Sequence, residues 1–525
     1  MKKFKQIFIS SIFALVLFSS CEDAYNIVQD GEINEESLTT LSDLQSYLNA
    51  GVYGSLSVSN EIAFSAIFTD ETSIGRGNGG QGTDLHRFFL NSEDGYAFGI
   101  WYGAYQTINR VNRTLRIANR IGAPTTTTDL AQYNSILGEA RALRAFSYMR
   151  LLTYFSTDMK DNNAKGVMFL GDAVPAASDA YPRVANEIIF DAIESDLAFA
   201  MSNISTTADY KHVTKNMINS LRARMYLYRG NYPMAKQYAQ EVITNSGLQL
   251  TLANPVPNNA PVNGVAGTGA WNAAFYSANS TNPYRRMWAD VAQGEILFAL
   301  DRPAAGGWEN VASNFTTNTT SASGSPLHEL SRNLFNQLAS VSGDVRRYSN
   351  VDPTSQINPN YATVPNYIAT DVLVIDKYPG KSGFPLRNDI KVFRLSEMYF
   401  ILAECYANEG LLNGGTNSVA QVLKKIRDAR NFLGAQPLPN YANVTEAYAD
   451  ILLERRKELC YEGHRYIDIK RIGTLADKQI ERDATDDEIV SPLTLPNDDY
   501  RYTMPIPRSE FNGNGAMTQN PGYGG

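Results

Sequence analysis

Histidine and cysteine are scarce in this chain of 525 residues, with 4 and 3 copies. No two of His86, His212, His328 and His464 stand at a metal-ligand spacing, which argues against a zinc centre, and no cofactor is expected. Lysine- and arginine-rich runs are missing too, and the net charge is −8. A nucleic-acid partner needs a basic face, so that class is set aside. Long apolar runs are also missing. The stretch Ile7 to Phe18 is too short to cross a bilayer, and no run of about 18 apolar residues follows it.

What that short run does have is context. Lys2, Lys3 and Lys5 precede it and Ser19-Ser20-Cys21 follows. Charge, a short apolar segment and small residues in that order make residues 1–20 a secretory signal peptide. Cys21 resembles the lipid-acceptor cysteine of a bacterial lipoprotein, although Phe18 stands where that pattern usually has leucine and Leu17 lies one step earlier. An acylated Cys21 implies an exported chain tethered to the membrane without a spanning helix. Stable tethering takes more than one acyl chain. Residues 21–35 then form a linker and residues 36–525 one domain. The other cysteines, Cys405 and Cys460, lie among apolar neighbours in helical patterns and are expected to be buried free thiols rather than a disulfide.

The predicted fold is mainly α. Apolar residues at helical spacing predict helices over about 37–56, 98–121, 130–155 and 186–203. Ala223, Met225, Tyr226, Gly230, Tyr232, Ala235 and Ala239 follow in the order of a tetratricopeptide-type helix pair. A second pair runs from Leu395 through Tyr406 to Gly410 and then over about 418–431. These pairs are separated in sequence, so they are expected to meet in space. They form a helical scaffold over about 36–249 and 390–475. Residues 250–389 are rich in proline, glycine, asparagine and serine, with two short β-rich runs, Ile296–Leu300 and Val372–Ile375. This region reads as a loop-rich subdomain carrying a few short strands.

The densest chemistry lies at Glu454 to Arg471, ERRKELCYEGHRYIDIKR. Glu458, Glu462, His464 and Asp468 invite a catalytic reading, but the interleaved arginines would neutralise the carboxylates, so a structural network is the stronger expectation. The segment resembles the C-terminal signature of the SusD/RagB family of Bacteroidetes nutrient-binding lipoproteins. So do Arg394-Leu395-Ser396-Glu397-Met398-Tyr399, Glu139-Ala140-Arg141-Ala142-Leu143-Arg144-Ala145, and the ending from Pro505-Ile506-Pro507 to Asn520-Pro521-Gly522-Tyr523. The resemblance implies a SusD-like fold. It also implies a lipid anchor in the outer membrane facing the cell exterior, capture of a glycan or peptide, and delivery to a SusC-like TonB-dependent transporter.

Sugar sites combine aromatic faces with polar side chains, often on loops of a rigid scaffold. Three loops offer that combination, and the candidate ligand contacts are Asn78, Asp84, Arg87, Trp271, Tyr276, Tyr284, Trp288 and Trp308. Three other readings stand beside glycan binding. One is a peptide-binding, RagB-like uptake protein. Another is a surface glycoside hydrolase, with Asp70, Glu71 and Asp84 as weak carboxylate candidates. The last is a helical scaffold that binds only proteins. Asp483, Asp486 and Asp487 raise the question of calcium, but their spacing is not that of a calcium loop.

Overall fold

The computed structural model describes residues 35–176, 178–205, 209–257, 266–317, 319–489 and 492–524. The signal peptide, Cys21 and nearly all of the linker lie outside these residues. Among the described residues, no helix is long and apolar enough to cross a membrane.

Helices carry the architecture. α1 (Leu41–Tyr47) starts at a capping box in which Thr40 and Asp43 satisfy each other's backbone N–H groups. It runs into a π-helical turn over Leu48–Val52 and a tight turn over Tyr53–Ser55, so the predicted 37–56 helix is helical throughout its middle but changes pitch. α2 (Ser59–Phe68) is followed by α3 (Gly95–Ile121), capped by Asp94, and α4 (Thr127–Phe155), capped by Thr126. From Gly138 to Phe155 every residue of α4 except Arg141 is buried, which marks it as the central helix. α5 (Asn186–Asn203) packs on α4, and α3 covers another side.

α6 (Lys215–Tyr228) and α7 (Tyr232–Asn245) form the first predicted pair, turning through Asn231, whose side chain caps α7. α8 (Leu395–Asn408) and α9 (Val419–Arg430) form the second. α7 packs directly on α8, and Lys236 pairs with Glu409 at 2.8 Å across the contact. α8 also supports α10 (Val444–Leu459), which turns into α11 (Arg465–Ile472). α11 lies against α2, and α2 against α3, so the C-terminal motif closes onto the N-terminal helices.

Strands are short and, among the described residues, pair two by two. Ile296–Leu300 joins Ile390–Arg394, and Thr72–Ile74 joins His328–Leu330, both antiparallel. The second predicted β-run, Val372–Ile375, makes only isolated bridges to Gln356 and Val351. The 250–389 region contributes more to the core than its composition suggests. Two short helices, Gly269–Phe275 and Pro283–Trp288, turn their aromatic rings inward, the second fixed by Asn282 as cap and Pro283 in its first turn. Those rings share one hydrophobic core with α3, α4, α8 and α10. Cys405 and Cys460 are both buried and free.

Candidate functional site

The carboxylates of the C-terminal motif are tied up inside the protein. Glu458 is fully buried and accepts from Arg430 (Nη2, 2.9 Å), Arg394 (Nη1, 2.9 Å) and Arg346 (Nη1, 3.1 Å). Burial would raise its pKa, but the three guanidiniums outweigh that and hold it well below the usual carboxylate range. Glu462 pairs with Arg394 and Lys377, and Asp468 with Arg455 and Arg471. Burial and four surrounding arginines push His464 well below its ordinary value, so it sits neutral. Glu458 and Asp468 are enclosed by these partners, and Glu462 and His464 border a small cavity of about 70 Å³ in which Glu462 is held by its ion pairs and His464 is neutral. They fasten α10 and α11 to the strand Ile390–Arg394 and to the 284–295 segment.

Two of the three hydrolase candidates fare the same way. Asp70 and Glu71 are 0% and 1% exposed. Asp70 is clamped by Arg465 at 2.7 Å, while burial, unpaid by any full ion pair, lifts Glu71 to about 8. Asp483, Asp486 and Asp487 are likewise occupied. Asp483 caps Thr485, Asp486 accepts from Arg332 N and Asp483 N, and Asp487 pairs with Arg87.

Most of the predicted ligand contacts turn out to be structural. Trp271, Tyr284 and Trp288 are 0% exposed and cannot touch a ligand. Trp271 stacks on Phe275 with ring centroids 4.6 Å apart, Arg430 lies over Tyr284, and Lys377, Lys391 and Arg394 surround Trp288. Tyr276 is half-buried, its hydroxyl donating to Tyr348 O at 2.6 Å. The reason is common to all four: a large ring in a polar sequence gains most by leaving water, whatever its neighbours in the chain. Asn78 spends its amide on Gln81 O and Leu327 O, and Arg87 is bidentate to Asp487. Both build the 74–94 loop rather than offer it to a ligand. Trp308 is half-buried under the Arg302 guanidinium.

Asp84 is the exception. It is exposed and lines an open cleft of about 430 Å³ with Asn60, Phe89, Asn91, Glu93 and Tyr96. Phe89 is 62% exposed, an unusual state for phenylalanine. On the first turns of α3, next to the cleft, Phe98 and Tyr102 are exposed and stacked with ring centroids 5.5 Å apart.

The cleft is held stiffly. Gly82 has φ +70°, and a Cβ there would lie 3.1 Å from the His328 ring, so any other residue would be strained at this point of the loop. Phe88 also has positive φ, which turns its ring inward under the Arg482 guanidinium and leaves Phe89 pointing out. His86 is buried and bonded to Thr72 O. Asp94 is committed to capping α3 by accepting from Tyr96 N and Ala97 N. Glu93 pairs with Arg508. The loop carrying Trp308 is tied nearby, because Asn314 donates to Ser59 Oγ at 3.0 Å, one residue before Asn60.

The residues that sequence reasoning missed are Asn60, Phe89, Asn91, Glu93 and Tyr96. The Phe88-Phe89 pair was a signal of sorts: two adjacent aromatic residues in a glycine-rich loop cannot both easily face the core.

A mainly helical scaffold of this kind, presenting an aromatic-edged polar cleft on a braced loop, defines a ligand-binding module. Comparisons with known proteins agree. The SusD family model matches residues 309–523, and a second model, described as starch-binding and associating with the outer membrane, matches residues 27–227. SusD-like protein P2 of Formosa agariphila is 24% identical over the whole of both chains, and SusD-like protein P38 of the same organism is 23% identical over 98% of this chain and 99% of its own. Among solved structures, a SusD superfamily protein from Bacteroides thetaiotaomicron superposes with a TM-score of 0.71 at 23% identity, over 92% of this chain and all of its own. A laminarin-binding SusD-like protein superposes with a TM-score of 0.63 at 20% identity, over 92% and 99%. This chain belongs to the SusD-like family.

Proposed function

We propose that this protein is a non-catalytic, cell-surface lipoprotein that captures a neutral glycan and hands it to a SusC-like TonB-dependent transporter in the outer membrane. Cys21 is the lipid attachment site in this reading. The observation that carries the glycan assignment is the cleft at Asp84. It sets an exposed aromatic ring, Phe89, beside amides and carboxylates on a rigid loop, with stacked Phe98 and Tyr102 extending the aromatic edge. A sugar's C–H face packs on such rings and its hydroxyls bond to such side chains. Asp84, Glu93 and Asp94 line the cleft, and their charge disfavours polyanionic glycans. Membership of the SusD-like family and the laminarin-binding structural neighbour support the same reading.

The absence of catalysis rests on the use made of the acids. Hydrolysis of a glycoside needs a pair of carboxylates free to act on the bond. Here Asp94 caps a helix and Glu93 is ion-paired with Arg508, which leaves Asp84 without a second uncommitted carboxylate among the cleft's lining residues. The test is native affinity electrophoresis of the signal-less chain through gels containing laminarin, starch or alginate, with peptide ligands in a parallel calorimetric panel. Retardation by a neutral glycan without its turnover is expected. Binding to alginate or peptides alone, or release of reducing ends, would contradict the proposal.

A further inference from the structure

A second cleft, of about 410 Å³, opens between α11, the segment after α4, and the 497–503 segment. That volume lies in the range of small-molecule sites, about 300–1,000 Å³. Its walls include Thr157, Asp158, Lys470, Tyr500 and Thr503. Lys470 is the unusual member. Its ammonium donates to Ser156 O at 3.2 Å and to Thr503 Oγ1 at 3.3 Å, both neutral acceptors. Among the described residues it makes no ion pair within 4 Å, whereas most other enclosed lysines here, Lys377, Lys391 and Lys457, each have one. Burial pushes it down to about 8, opposed by the Asp158 carboxylate. Lys470 therefore keeps a donor for which the protein supplies no strong acceptor.

Tyr500 faces the same space and is 46% exposed. Its ring is locked from behind. Tyr523 meets it edge-on at 4.9 Å, and Gly522, at φ +90°, approaches so closely that a Cβ would lie 2.3 Å from the ring. A rigid exposed ring costs little entropy when a ligand packs on it. Charge in the cleft is balanced. Asp499 is neutralised by Arg501, and Arg471 by Glu404 and Asp468, which leaves Lys160 and Lys470 against Asp158 and Asp498.

A fixed aromatic face, an ammonium without an ion pair, carboxylates with oxygens left to accept (Asp158 spends Oδ1 on Lys160 N at 2.8 Å) and no net charge are complementary to a small neutral polyol. We propose that this cleft is a second binding site, selective for a neutral mono- or disaccharide, distinct from the Asp84 cleft. The inference rests on the glycan-binding reading only for its choice of probe. Arg501, next to Tyr500, donates to Phe88 O at 2.8 Å, so a direct hydrogen bond links neighbours of the two clefts, which have no lining residue in common.

Saturation-transfer difference NMR on the signal-less chain tests this, with D-glucose, D-galactose, D-mannose and D-glucuronate as probes. Transfer to at least one neutral sugar is expected, retained in Phe89→Ala and reduced about fivefold or more in Tyr500→Ala and in Asp158→Ala, since truncating a central aromatic contact is commonly felt on that scale. Both substituted residues are exposed, so the fold should survive them. No transfer to any neutral sugar, stronger transfer to D-glucuronate, or transfer unchanged in Tyr500→Ala would overturn the proposal. A chain that still binds polysaccharide in gels but shows no transfer would refute the second site alone. One that does neither would refute the glycan reading as well.

Discussion

Replacing Glu458 with glutamine is the most demanding test of the buried network. The side chain has no exposed surface, and its partners Arg346, Arg394 and Arg430 are at 1% exposure or less. The substitution keeps the shape and removes one negative charge from the centre of three positive ones. At an effective dielectric of about 20, each unit pair at about 4 Å is worth roughly 4 kcal/mol, so the gross loss is about 12 kcal/mol. Much of this is recovered. Arg394 keeps Glu295 and Glu462, Arg430 keeps Glu295, and Arg346 keeps Asp344 and Glu454. The cost of burying the Glu458 charge is also relieved. The expected net destabilisation is about 3–5 kcal/mol, the usual cost of breaking a buried pair from one side. Urea denaturation should show a lower midpoint with an unchanged slope. A loss below about 1 kcal/mol, accompanied by a loss of ligand affinity, would refute the structural assignment.

Three further outcomes follow from the same packing. Trp271→Ala should destabilise the protein by about 3–5 kcal/mol through the cavity it leaves, while the folded fraction keeps its glycan affinity in calorimetry. Glu71, at 1% exposure, is lifted by burial from 4.5 to about 8. The native state therefore holds its proton more tightly than the unfolded state, and stability should fall as pH rises from about 4.5 to 8. Glu71→Gln should flatten that decline in denaturation midpoints measured across the window; an unchanged slope would show that Glu71 does not titrate there. Cys21→Ala should move the protein from the membrane fraction to the soluble one, leaving glycan affinity unchanged; a variant that stays in the membrane fraction would rule out Cys21 as the anchor.

The helices were legible in the sequence because their signals are local. Apolar spacing gave α3, α4 and α5 to within a few residues, and Gly230-Asn231 marked the α6–α7 turn. The charged face of α10 could be read as a network because each carboxylate had arginines within a few positions. The proposed ligand site was less legible. Trp271 and Trp288 stand among polar and glycine residues, and only tertiary packing shows that short helices carry them inward. Asp84 could be singled out as a cleft residue because its loop is polar and glycine-rich throughout. Phe89 was not, because its exposure depends on the positive φ of Phe88, a backbone state that no spacing rule reveals.

The central claim is that the Asp84 cleft holds the ligand. Isothermal titration of a laminarin oligosaccharide into the signal-less chain and into Phe89→Ala tests it most directly. Phe89 is 62% exposed, so its truncation should leave stability within about 0.5 kcal/mol of the parent. The account predicts saturable binding to the parent and an affinity at least about tenfold weaker in the variant, the loss of one well-placed aromatic contact. Equal affinity in the two proteins would contradict it.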